Sequence, residues 1–195
     1  MDHPILPLPR ETERLVLRPP SPDYAEMIQD AIEETFDDLH PWMPWASHKQ
    51  SLEETKNFLK VAENKFLEGE DFGVSVFLRK TGDFVLSTGL HPRNWSVPKF
   101  EIGYWCRTSM QGRGFTTEAV TTLADMAFRE MAAYRVEIRC DARNIRSRRV
   151  AELAGFDFEA KLRSDDRAKD GSMRDTVIYV LLGGNLEGKG KHSAA

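Results

Sequence analysis

Gln111-Gly112-Arg113-Gly114-Phe115-Thr116 stands after the strand-like stretch Phe100-Glu101-Ile102-Gly103-Tyr104-Trp105 and directly before an amphipathic helical run over residues 117–131. A glycine-rich turn in that position leaves the first backbone N–H groups of the helix unpaired and pointing one way, at the positive end of the helix dipole. Gly112 and Gly114 carry no β-carbon to hold phosphate oxygens away, so the turn predicts a diphosphate site. The Lys-Ser/Thr that closes a Walker A loop is absent, and the glycines do not fit G-x-G-x-x-G. The alternative is a strand-to-helix turn that binds nothing, since short glycine motifs recur by chance.

Outward from the turn, the pattern reads as one α/β domain. Downstream, Val120, Leu123, Ala127, Phe128 and Met131 recur at helical spacing. A strand over 135–140, a helix over 145–154 and strands near 156–162 and 175–182 follow. Upstream, a strand over 14–18 stops at Pro19-Pro20, and Ser21-Pro22-Asp23 caps a helix running to about residue 34. Ser51-Leu52-Glu53-Glu54 is a capping box for a second helix, with Phe58, Leu59, Ala62, Phe66 and Leu67 on one face, ending near Gly69. Three strands over 72–79, 84–91 and 99–107 form a meander with a first turn at Thr81-Gly82-Asp83 and a longer loop over 92–98. The predicted order is β-α-α-β-β-β-α-β-α-β-β, a mixed, mostly antiparallel sheet of about seven strands with helices on both faces.

Composition bounds the function. At 195 residues, 41% hydrophobic and 30% charged, the chain fits a single core, expected over residues 1–182, with a polar Gly/Lys/Ser-rich disordered tail over 183–195. A net charge of −4 and a pI near 5.8 argue against nucleic acid as a direct partner. Cys106 and Cys140 lie far apart, and His3, His40, His48, His91 and His192 show no ligand spacing, so neither a disulfide framework nor a metal site is expected. The sequence lacks an apolar run of about eighteen residues and a signal-like start, which predicts a cytoplasmic protein with no membrane partner.

Five blocks in this order resemble the GCN5-related N-acetyltransferases (GNAT), closest to the RimJ/RimL-like branch that acetylates ribosomal-protein N-termini. They are Thr12-Glu13-Arg14-Leu15-Val16-Leu17-Arg18, Trp42-Met43-Pro44-Trp45, Glu101-Ile102-Gly103-Tyr104-Trp105, the glycine turn with Thr117-Glu118-Ala119, and Asn144-x-x-Ser147 leading to Gly155-Phe156. The resemblance implies the single-domain GNAT fold and acetyl-CoA as co-substrate, without a metal. It assigns the diphosphate to backbone amides of Gln111, Gly112, Arg113, Gly114, Phe115 and Thr116, with Arg113 able to add charge-assisted bonds. Thr116 departs from the usual Gly or Ala. A backbone N–H in Tyr104-Trp105-Cys106 is expected to polarise the thioester carbonyl, although Tyr104 and Trp105 are equally core candidates.

An amine nucleophile is mostly protonated at pH 7, so a carboxylate base is expected, and Glu101 is the candidate. The alternative is that Glu101 faces solvent or pairs with a nearby Arg or Lys. Glu118 is expected to stabilise its helix dipole. Many enzymes of this fold carry a tyrosine acid four residues before the glycine of the final Gly-Phe pair; here that position is Ala151. Ser147 matches the RimL-like serine near the thioester sulfur, and Asn144 would bond the pantetheine arm. Ser147 could instead bond its own backbone.

Cys140 reads as a buried small hydrophobe rather than an acetyl carrier. Arg143, Arg146, Arg148 and Arg149 form a basic cluster whose default reading is a solvated helix face. Trp42 and Trp45, held by proline, suit a wall of the acceptor groove or packing onto the core. The resemblance favours a protein N-terminal α-amine as acceptor, attacking directly in a ternary complex. Polyamines, amino acids or aminoglycosides are the alternative acceptors, and a non-catalytic acyl-CoA sensor is the reading from another class. A monomer or homodimer fits equally.

Overall fold

The computed structural model describes residues 3–168 and 171–183; nearly all of the expected tail, residues 184–195, lies outside the described residues. Eight strands form a single sheet in the order β1-β2-β3-β4-β5-β6-β8-β7. They are β1 (Arg10–Glu11), β2 (Leu15–Arg18), β3 (Phe72–Leu78), β4 (Phe84–Asn94), β5 (Lys99–Cys106), β6 (Arg135–Asp141), β7 (Asp157–Arg167) and β8 (Met173–Leu182). The strand beyond the expected seven is β1, two residues paired with the end of β2, too short to carry a periodicity. Four α-helices are described: α1 (Ala25–Leu39), α2 (Leu52–Leu67), α3 (Phe115–Glu130) and α4 (Ile145–Leu153).

Local chemistry sets the boundaries. Ser21 accepts from the Asp23 N–H at 3.3 Å and opens a short 3-10 turn that runs into α1. The Ser51–Glu54 capping box is fully formed at the start of α2. Helix α1 runs to Leu39, five residues beyond the expected end at residue 34, because nothing in Thr35-Phe36-Asp37-Asp38 breaks a helix.

Two apolar clusters cover the sheet. Val120, Leu123 and Ala127 of α3 pack with Val76, Leu86, Leu90 and Ile102, while Ala25, Ile28 and Ile32 of α1 and Leu59 of α2 pack with Phe77 and Phe84. A register shift at Val76/Phe77 lets one hairpin serve both clusters: Val85 and Leu86 stay with α3, and Phe84 joins α1.

All strand pairs are antiparallel except β5–β6. That parallel ladder pairs Lys99, Phe100 and Glu101 with Arg135, Val136 and Glu137 and then stops, although both strands continue. Beyond Glu101 and Glu137 the two strands part.

Gly73, Gly89 and Gly103 are in register across β3, β4 and β5. The His91 ring lies over this row, held by Asp71 at 2.6 Å from its Nδ1. A β-carbon at Gly89 would stand 2.6 Å from His91 Cε1 and 3.2 Å from the Phe72 carbonyl oxygen. Gly89→Ala should therefore cost about 1–3 kcal/mol in urea unfolding, and His91→Ala in the same chain should recover most of it. Additive losses in the double variant would show that the ring is not what the glycine accommodates.

Candidate active site

The parting of β5 and β6 opens a cleft of about 1260 Å³, lined by residues 102–106 on one side and 138–141 on the other. Single-ligand pockets usually hold about 300–1000 Å³, so the volume suits two substrates meeting. The glycine turn, Trp42 and Met43, residues of β7 and β8, and α4 complete the lining.

At the turn, Gly112 and Gly114 have φ of +72° and +79°, the left-handed region that favours glycine, and a β-carbon at Gly112 would meet nothing within 4 Å. Gly114 is the N-cap of α3 and the first helical bond runs from the Glu118 N–H to Gly114 O at 3.1 Å. The N–H groups of Phe115, Thr116 and Thr117 therefore have no acceptor within the helix. The Phe115 ring is core, 4% exposed, so only its backbone is available to a ligand. The Thr116 hydroxyl faces the Cys106 thiol, whose pKa burial raises. The Gln111 amide donates to Cys106 O and Asp38 Oδ2, both at 3.2 Å, and accepts from Arg146 Nη1 at 3.1 Å. Arg113 extends over the Phe115 ring, 4.8 Å from its centroid.

Where the strands part, Tyr104 and Ser147 meet. Tyr104 Oη donates to the Ser147 carbonyl at 2.9 Å and accepts from Ser147 Oγ at 3.1 Å. Burial pushes the Tyr104 phenol well above the usual tyrosine range, so it stays a protonated donor across physiological pH. Cys140 also lines the cleft; burial raises its thiol, and the Ser147 hydroxyl beside it acts in the opposite direction. Asn144 Oδ1 accepts from the Ser147 N–H at 3.0 Å and caps α4. Its amide nitrogen has no hydrogen-bond partner among the described residues and is the atom left for a ligand.

Glu101 lines the cleft and is ion-paired: Arg93 Nε and Nη2 lie 3.1 and 3.0 Å from its Oε2. The ion pair expected as the alternative for Glu101 is therefore present, on a carboxylate that lines the cleft. Trp42 lines the cleft with Met43, whereas Trp45 stands outside the lining, 6.0 Å from the Trp105 ring, which itself faces the cleft. Of the arginine cluster, Arg146 and Arg149 line the cleft.

Several lining residues escaped the sequence reading. Asp165 and Asp166 lie beyond the expected end of β7 at residue 162, and Asp38 lies beyond the expected end of α1. Arg139 pairs with Asp165 at 3.3 Å, and Arg174 pairs with Asp166 and, at 3.9 Å, Asp141. Among the described residues no cluster of metal-ligating side chains occurs, and no helix is long and apolar enough to cross a membrane.

With this geometry, the comparisons agree on a class. Residues 14–157 match the acetyltransferase (GNAT) domain family, and the chain belongs to it. It is a GNAT-family N-acetyltransferase, and acetyl-CoA is the family's acetyl donor. Among relatives, it is 29% identical over 177 residues to the Bacillus subtilis (strain 168) protein named "Putative ribosomal N-acetyltransferase YdaF", covering 91% of this chain and 96% of that one. The fold is shared with the microcin C7 self-immunity acetyltransferase MccE, solved with acetyl-CoA and AMP (TM-score 0.81, 19% identity, 88% of this chain and 93% of that one). It is shared too with RimL, the ribosomal L7/L12 alpha-N-protein acetyltransferase, solved with coenzyme A (TM-score 0.80, 20% identity, 91% and 97%).

The cleft floor carries a buried charge with a readable pH signature. Asp141 is 3% exposed, and hydrogen bonds and charge from Arg143, with Arg174 beyond, hold its carboxyl below the usual aspartate range. A depressed folded-state pKa contributes stability that is complete above the unfolded value and is lost as pH falls through the folded one. Asp141→Asn should thus cost about 2–3 kcal/mol at pH 7, with the gap from wild type closing below about pH 4. A gap independent of pH in denaturant titrations would refute the assignment.

Proposed function

We propose that this chain transfers acetyl from acetyl-CoA to a protein N-terminal α-amine by direct attack within a ternary complex. The observation that carries the reading is the open glycine turn at the N-terminus of α3, placed at the end of a cleft made by two parted strands. The turn fits the donor: N–H groups 115–117 lack helical acceptors, Gly112 leaves open space, and the cleft continues between the strands to Asn144 and Ser147. The diphosphate would sit on residues 111–116, and the pantetheine arm would run past Asn144. A backbone N–H from Tyr104-Trp105-Cys106 would face the thioester oxygen.

The donor supplies an activated acyl group. Glu101 accepts a proton from the acceptor's ammonium, directly or through a water, and the incoming cation takes the place of Arg93 at the carboxylate. The free amine attacks the thioester carbon, a C–N bond forms, the C–S bond breaks with its electron pair on sulfur, and the nitrogen's second proton passes to the leaving thiolate. Ser147 Oγ–H, now shared with Tyr104, is the donor nearest the Cys140 end of the cleft and turns to the leaving thiolate. The protein N-terminal acceptor is supported by the name of the Bacillus relative and the described activity of RimL. Trp42 forms one wall of its entry.

Thiol release from acetyl-CoA across N-terminal peptides beginning Ser, Ala or Met, with spermidine, amino acids and an aminoglycoside alongside, tests the acceptor. Turnover on the peptides is expected; turnover confined to a small amine would replace this reading, and tight coenzyme A binding without turnover would favour a sensor. On the accepted substrate, Glu101→Gln should lower kcat about 100-fold and Ser147→Ala about tenfold. Unchanged rates in both would remove these two residues from the mechanism while leaving the donor site intact.

A further inference from the structure

The opening motif Thr12-Glu13-Arg14-Leu15 lies about a hundred residues before the glycine turn in sequence, yet it is bonded to it in space. Arg14 Nη1 donates to the Arg113 carbonyl at 2.9 Å, and Arg14 Nε donates to Glu118 Oε2 at 2.6 Å. Its guanidinium carbon stands 4.7 Å from the Phe115 ring centroid, and its Nη2 lies 3.5 Å from where a β-carbon on Gly114 would be. Glu118 is fixed in turn. Its Oε1 accepts from Thr12 Oγ1 at 2.5 Å and from the Arg14 backbone N–H at 3.2 Å, while Thr12 Oγ1 accepts from the Leu15 N–H at 2.9 Å. Burial works against the Glu118 charge, but the bonds from Thr12 and Arg14 outweigh it and hold the carboxyl below the usual range.

We propose that Arg14, seated by Thr12 and Glu118, is a positioning residue for the anion site: it fixes the Arg113–Gly114 peptide so that the turn's N–H groups face the diphosphate. A peptide's C=O and N–H point in opposite directions, so an arginine that captures the Arg113 carbonyl from the β2 side directs the Gly114 N–H away from β2. Gly114, like Gly112, has no side chain to resist rotation, and at φ +79° the atom beside its missing β-carbon is Arg14 Nη2. The rigid fork of the guanidinium holds the Arg113 carbonyl from Nη1 and the Glu118 carboxylate from Nε in one fixed geometry, which the rotating donors of an ammonium do not impose. Glu118 therefore does more than complement the helix dipole: it aims Arg14.

The inference rests on the acetyl-CoA reading, and its test separates the two. Wild type, Arg14→Lys and Arg14→Met would be titrated with coenzyme A by calorimetry and assayed with acetyl-CoA and with S-acetylpantetheine, which has no phosphate, while thermal melting monitors the fold. Both variants should bind coenzyme A about tenfold more weakly and show a correspondingly raised KM for acetyl-CoA with kcat changed less than twofold. kcat/KM for S-acetylpantetheine should stay at the wild-type value. Binding by the lysine variant equal to wild type would show that charge alone matters and overturn the positioning role. Equal losses on both donors, or a fall in kcat at unchanged KM, would overturn it as well. If either arginine variant fails to fold, Glu118→Gln, which frees Arg14 without emptying the site, must show the same donor selectivity or the proposal falls. Wild type that fails to bind coenzyme A would sink the acetyl-CoA reading, and this inference with it.

Discussion

The interruption of one ladder governs this molecule. The β5–β6 pairing is the sheet's sole parallel contact, and it ends at Glu101 and Glu137 while both strands run on. Backbone groups facing a neighbour that has moved away need other partners. Here the strands separate around a cleft, so donors in Tyr104-Trp105-Cys106 face a ligand path. The apolar packing of α3 on β4 and β5 keeps the glycine turn at the end of that path. Were the ladder to continue, the turn would keep its open N–H groups, but no cleft would run from it between the strands.

Charge in the cleft is arranged in pairs. Glu101 faces Arg93, Asp165 faces Arg139, and Asp141 and Asp166 share Arg174. Pairing matters most for Asp141, 3% exposed, since an isolated buried charge costs several kcal/mol. It also makes the cleft selective. A cationic acceptor gains little from a carboxylate already matched unless it displaces that partner, and Arg93, half exposed, gives way more readily than Arg174, 18% exposed.

What was legible in the sequence followed from short-range rules. Caps and periodicity marked the four α-helices among the described residues, and two glycines between a strand and an amphipathic run located the turn that opens α3. Three things were not legible. The β5–β6 parting depends on where a long-range ladder stops, which no residue in either strand announces; the family resemblance alone implies a splay, at Tyr104-Trp105-Cys106. The contributions of Asp165 and Asp166 were hidden because β7 is the sheet's exposed edge, and its run of charges reads as loop although its backbone pairs with β8. The Tyr104–Ser147 contact joins residues 43 apart, so Tyr104 was read for its backbone when its hydroxyl also belongs to the site.

The glycine turn is held from two sides, and both holds use carboxylates. On one side Glu118 carries Arg14 to the Arg113 carbonyl. On the other, α1 supplies Glu34, which takes the Arg107 guanidinium and the Ser109 N–H, and Asp38, which takes Gln111 and Arg146. Acids around this turn do not stand unmatched: Glu118 is bonded by Thr12 and Arg14, Glu34 by Arg107 and the Ser109 N–H, and Asp38 by Gln111 and Arg146. They act as anchors that orient positive ends inward, and their own charge is met before it reaches the ligand. The same arrangement ties two parts of the cleft together: α1 leads directly into the Trp42 loop, so the helix that steadies the glycine turn also carries the lining residues Trp42 and Met43.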